Sequence, residues 1–231
     1  MLRRVAVSAV LIAVISVLTA AGVPQKKPLP FCADAGDKAA PARLLPVDEA
    51  IRRPDFFTYR ARLQMAVAAH DTDAVLAMVD PNIKLGFGGD DGLRKLRGHL
   101  TGADAPEYWR SLGRILALGG AFKSASSFEA PYVFSNWPEG ADAFECGAVT
   151  GANVAVRQEG RPDAAIVTRT SYAIVRFIGP TSANKGWSMV QLSSGRKGYI
   201  HTDFLWGATA LRAVFNLAGG QWRMTGLVSG D

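Results

Sequence analysis

The feature that most limits what this chain can fold into is a change of hydrophobic period at Cys146. Ahead of it, apolar residues recur every three or four positions; beyond it, they recur every second position. The first spacing lines one face of a helix and the second one face of a strand, so the chain reads as α+β. Pro54 and Asp55 open a helix with Phe56, Tyr59, Leu63, Ala66 and Val67 on one face. Asp71 or Thr72 caps a short second helix bearing Val75, Leu76 and Val79, which Pro81 ends. Residues 82–87 read as a strand running into the glycine-rich turn Gly86–Gly92. A third helix is expected from about Glu107 to Leu118, stopped by Gly119-Gly120, and residues 122–137 hold one or two strands.

Past Cys146, short runs rich in Val, Ile and aromatics alternate with turn residues: 153–157, 165–170, 172–178, 187–192 and 197–200. Strands this short and this close together make a small barrel or sandwich. Residues 211–217 and 221–228, joined through Gly219-Gly220, read as a β-hairpin. A hairpin alone is marginal in water, so this one is expected to return and pack on the front helices, leaving the barrel as an insert. The expected layout is residues 1–21 as a signal peptide, 22–53 as a Pro-rich leader and 54–147 as an α+β domain completed by 207–231. Residues 148–206 form the small barrel.

Arg3 and Arg4 precede an apolar run over 5–18, and Thr19-Ala20-Ala21-Gly22 supplies the small residues of a cleavage site. The competing reading is a retained anchor, for which the run barely reaches the length of about 20 residues that a span requires. Either way the expected location is periplasmic or secreted, peripheral to a membrane at most. Without 1–21 the chain carries 24 basic and 20 acidic residues, a net charge of +4. Residues 148–206 account for all of it, with seven basic residues against three acidic ones. A locally basic module outside the cytoplasm suits an anionic envelope partner; the plainer alternative is a set of solvated strand-face charges. Nucleic acid is not expected, since no basic run with interleaved aromatics occurs.

Cys32 and Cys146 are the two cysteines. In an oxidising compartment they can pair and staple the leader to the body; otherwise they are two separate thiols. Two cysteines and three scattered histidines (His70, His99, His201) point to no metal site, and no cofactor is expected. The Gly86–Gly92 loop with Asp90 and Asp91 matches neither a phosphate-binding loop nor a calcium loop. No Gly-x-Ser-x-Gly elbow is present, and Asp104, Glu107 and Glu129 are carboxylates without a motif. The chain is therefore expected not to be an enzyme.

Residues 148–206 resemble a bacterial SH3-type (SH3b) domain. The resemblance is carried by Asn153-Val154-Ala155-Val156-Arg157 before Gly160 and Pro162, by Trp187 and Val190, by Gly195 and Gly198-Tyr199-Ile200, and by Asp203-Phe204-Leu205. Ala155 and the long 179–186 loop depart from the family pattern. Gly198 is expected to let the backbone pass Trp187 closely. The resemblance implies a non-catalytic module that binds a cell-wall peptide, peptidoglycan or another envelope protein. Tyr172, Trp187 and Tyr199, with Arg157 and Arg196 beside them, are the candidate groove; the alternative for each is a core or strand-face role. The front region is similar in layout to NTF2-like or cystatin-like cones, without a diagnostic motif. Two further functions stay open: a small-molecule or enzymatic pocket in the front region with the barrel as anchor, and a structural envelope-assembly or stress factor.

Overall fold

A computed structural model describes residues 31–33, 42–89, 91–179 and 186–230. The expected signal peptide, Asp90 and Lys185 lie outside them. No helix of the described residues is long and apolar enough to cross a membrane.

Among the described residues five α-helices and twelve strands form an α+β molecule with two sheets. Helices α1 (Pro54–Ala68), α2 (Thr72–Ala77), α3 (Leu93–Thr101) and α4 (Ala105–Ala117) precede or flank the front sheet, with α5 (Tyr132–Ser135) at its edge. That sheet is built from β1 (Val79–Lys84), β2 (Ala121–Ser124), β3 (Ser127–Ala130), β11 (Arg212–Ala218) and β12 (Gln221–Val228), in the order β1-β12-β11-β3-β2. Only β1 runs parallel to its neighbour. The C-terminal hairpin β11–β12 thus supplies the two strands at the centre of a sheet whose other members lie more than eighty residues earlier.

Local chemistry explains the helix starts. Pro54 occupies the first turn of α1, where its missing N–H costs nothing. The Asp71 carboxylate caps α2 by accepting from the Ala74 N–H. Three elements differ from the periodicity reading. Residues 122–137 hold the two expected strands, but Tyr132–Ser135 is the short helix α5, entered from Pro131 in extended conformation. Pro81 does not end α2, which stops at Ala77; it sits inside β1, an edge strand that tolerates a missing donor. Helix α3 was not expected, because it buries only Leu96 and Leu100 among basic neighbours.

The main core is centred on Phe56 of α1, fully buried, with the rings of Phe122, Phe128, Phe215 and Trp222 at centroid distances of 4.3–5.6 Å. Offset and edge-on aromatic contacts of this kind each add about 0.5–1.5 kcal/mol beyond area burial. Asp55 fixes the approach. Its carboxylate accepts from Arg53 and, at 2.9 Å, from the Trp222 indole N–H of the hairpin. Those donors hold its pKa well below the usual carboxylate range.

The leader is not loose where it is described. Asp48 forms a two-point ion pair with Arg60, both contacts at 2.7 Å, and the Arg60 side chain is almost wholly buried. Leu44 donates to the Tyr172 carbonyl, and Glu49 to that of Gly120. Residues 42–53 therefore tie the front sheet to the second one. Cys32 and Cys146 form the disulfide, both fully buried, across a sequence separation of 114.

The second sheet is antiparallel and comprises β4 (Cys146–Val149), β5 (Val154–Arg157), β6 (Ile166–Thr170), β7 (Ile174–Phe177), β8 (Trp187–Leu192), β9 (Lys197–His201) and β10 (Leu205–Gly207), in the order β10-β4-β7-β8-β9-β5-β6. The chain passes from Thr170 in β6 to Ile174 in β7 in four steps, a reach of roughly 14 Å. In a flat sheet those strands would lie about 19 Å apart, four spacings. The sheet must therefore curl on itself, enclosing Val149, Val154, Val156, Val175, Val190, Leu192, Ile200 and Leu205 as its own core. Among the described residues β6 and β10 do not pair, so the ladder stops short of a hydrogen-bonded ring.

Replacing Cys32 and Cys146 by Ser together is expected to lower stability by up to about 4–5 kcal/mol, the chain-entropy value for so long a loop, read as a fall in melting temperature that reducing agent reproduces in the parent. Asp55→Asn is expected to lower the melting temperature at pH 7. A depressed native pKa contributes stability that is fully present above the unfolded value of about 3.9 and is lost as pH falls from there through the lower folded value, so the two melting curves should converge only in strong acid.

Candidate binding surfaces

Strand pairing decides which side chains share a face. In the curled sheet Trp187 pairs with His201, Met189 with Tyr199, and Gln191 with Lys197, while Arg157 of β5 pairs with Tyr199. Partners in an antiparallel ladder project to the same side. The outer face therefore carries Trp187, His201, Met189, Tyr199 and Arg157 in one contiguous group, all half-buried. Beneath them, Ser188, Val190, Gly198 and Ile200 point inward. The Trp187 and His201 rings meet edge to face at 5.1 Å. His201 Nδ1 accepts from the Asp203 N–H at 3.3 Å and lies as near to its carboxylate. The Arg157 guanidinium donates to the Ala164 carbonyl at 2.7 Å, which fixes its direction.

Of the five candidate groove residues, this arrangement unites Trp187, Tyr199 and Arg157. Tyr172 stands apart, in the turn from β6 to β7 with φ of +53°. Its carbonyl receives the Leu44 N–H, and it faces the front region, where Tyr132 is held at a pKa of about 12 by burial, with Tyr172 adding to the rise. Arg196 also stands apart. It is exposed in the β8–β9 turn, at the Gln191–Lys197 end of the hairpin and opposite Trp187. Met189 and His201 were missed because neither residue type signals a binding face; only the two-residue period places them there. Gly198 has a different role from the expected one. A Cβ there would lie 2.6 Å from the Arg157 carbonyl oxygen and 2.7 Å from Val156 Cγ1, so Gly198 serves the β9–β5 crossing and not the passage of Trp187.

A second surface lies on the helices. Between α1 and α4 runs a groove of about 600 Å³, walled by Val67 and Ala68 on one side and Trp109, Gly113 and Ala117 on the other. Arg110 and Arg114 lie along it one helical turn apart. The carboxylates do not converge on either surface. Glu107 pairs with Arg110, and Glu129 lies on β3 with Lys123 at 3.8 Å, its pKa raised by burial. Among the described residues no group of three or more His, Cys, Asp or Glu could hold a metal ion. The Gly86–Gly89 turn instead borders a cavity on the open face of the front sheet, where Asp91 pairs with Lys84 at 2.7 Å.

No protein-family model matches the sequence, the SH3-type one included. No curated protein matches it either. Among solved structures, the chain is similar to a protein of unknown function with a cystatin-like fold from Nostoc punctiforme, at 11% identity and a TM-score of 0.23 over 79% of this chain and 94% of that one. A TM-score this low carries no argument about function.

Of the five tryptophans, Trp109, Trp206 and Trp222 are each 6% exposed, whereas Trp137 and Trp187 are half-buried. Trp187→Phe is therefore expected to remove part of the iodide-quenchable tryptophan emission, with Trp137 supplying the remainder. Unchanged quenching would mean that the indole is sealed in the core.

Proposed function

We propose that this is an exported, non-catalytic binding protein whose curled sheet, an SH3-like module, engages an extended peptide of the cell envelope. The observation that supports this most is the contiguous Trp187–His201–Met189–Tyr199–Arg157 face. Two aromatic rings and a methionine supply apolar, adaptable contact area. Arg157, held by the Ala164 carbonyl, supplies a pre-oriented cation for a carboxylate, as peptide termini and acidic wall peptides carry. Aromatic and arginine anchors at the centre of a surface are where binding energy concentrates.

The other features fit the same reading. The Cys32–Cys146 disulfide belongs in an oxidising compartment, consistent with export to the periplasm or beyond. The excess positive charge of the 148–206 segment would draw an anionic wall polymer toward the face. Peptidoglycan peptide is the favoured partner, and a second envelope protein presenting the same kind of peptide is the alternative.

Trp187→Ala and Tyr199→Ala combined are expected to weaken retention on purified peptidoglycan at least about tenfold, the equivalent of 1.4 kcal/mol, while Arg196→Ala and Tyr172→Phe leave it nearly unchanged. Equal retention of parent and double variant would overturn the assignment of the face. Absence of retention at both low and moderate salt would overturn the choice of partner.

A further inference from the structure

The groove between α1 and α4 has no role in the peptide-binding face, and its chemistry differs. Val67, Ala68, Trp109, Leu116 and Ala117 make it apolar, and its volume of about 600 Å³ falls within the usual range for small-molecule sites. Its lining residues include two arginines and no carboxylate. Arg110 is neutralised by Glu107 just outside the groove. Arg114 is not. Its Nη2 faces the carbonyl oxygens of Thr202, Asp203 and Leu205 at 2.7–3.3 Å, and its guanidinium stacks over the Trp206 ring at 4.8 Å. Among the described residues no carboxylate lies within ion-pairing distance. Burial pushes the Arg114 pKa down, and the nearby charges of Asp203 and Glu107 offset that only in part.

An apolar trough that ends at a half-buried cation with no carboxylate in ion-pair contact is complementary to one class of molecule. We propose that this groove binds a single-chain amphiphile with a carboxylate head: the alkyl chain lies along the α1–α4 trough and the head meets Arg114. The trough is open because position 113 is glycine. A Cβ there would meet only Val67 Cγ1 at 3.8 Å, an ordinary contact, so the groove exists through the absence of a side chain and not through backbone necessity. Ala68 and Ala117, both exposed, keep the rest of the walls low. Gln64, whose amide donates to the Leu116 carbonyl at 2.9 Å, braces the floor between the two helices.

Titration calorimetry on the full chain with laurate and with dodecanol tests this. Laurate is expected to bind saturably, one per chain, at least about tenfold more tightly than dodecanol, and its affinity alone should fall with added salt. Gly113→Phe and, independently, Ala68→Phe fill the trough from opposite walls and should each abolish laurate binding; a melting curve for each establishes that the fold persists. Retention on peptidoglycan by these variants should equal that of the parent, which separates this site from the sheet face. Equal affinity for the acid and the alcohol would overturn the role of Arg114, and binding unaffected by both fillers would overturn the location. Adsorption to phosphatidylglycerol vesicles without uptake of laurate would overturn the ligand in favour of membrane docking.

Discussion

The structure depends on one strand that is buried on both of its faces. All four residues of β4, Cys146 to Val149, are buried. Val149 belongs to the core enclosed by the curled sheet, while Cys146 and Ala148 belong to the main core of the front helices and sheet. Ile174 and Trp206, on the strands either side, project into the main core with them. The curled sheet is therefore a shared wall, not a bead on a linker. Gly147 is where that wall is tightest: a Cβ there would come within 2.7 Å of both the Phe177 ring and the Trp206 carbonyl oxygen. Strands buried on both faces accept little but small or β-branched apolar residues, and the sequence Cys-Gly-Ala-Val complies.

That shared wall explains the placement of the polar connections. The disulfide fixes the first residue of β4 to the leader. Arg114 reaches from α4 to three carbonyls around β10, and Leu44 binds the Tyr172 carbonyl at the far end of the sheet. Each lies at the perimeter of the apolar seam, where a charged or backbone group can be satisfied without being carried into the core. The sheet face turned toward the helices is consumed by packing, so the aromatic and basic residues left at the surface of the sheet are those of β8, β9 and β5, farthest from the seam.

Much of this was legible in the residues. The period change at Cys146 located the second sheet, and the hydrophobic alternation of 211–228 with Gly219-Gly220 located the hairpin. Helix starts at Pro54 and Asp71 followed from their capping chemistry. Other features were not legible, for particular physical reasons. Helix α3 carries too narrow an apolar stripe, and Pro81 disguised β1 as a helix stop. Tyr172 and Arg196 share the composition of a binding face with Trp187 and Tyr199, but a left-handed turn and a hairpin tip send them elsewhere. Met189 and His201 joined the face only through register.

The sequence by itself determined the class of each segment, the two cysteines able to pair, and the basic balance of the 148–206 region, because periodicity, residue type and charge are local properties. Only the tertiary structure decided which aromatics became neighbours, that Arg114 faces carbonyls without a carboxylate, and that an apolar trough opens beside it. Those outcomes depend on strand register and on which surfaces two bodies bury against each other, and both are set by contacts between residues far apart in the chain.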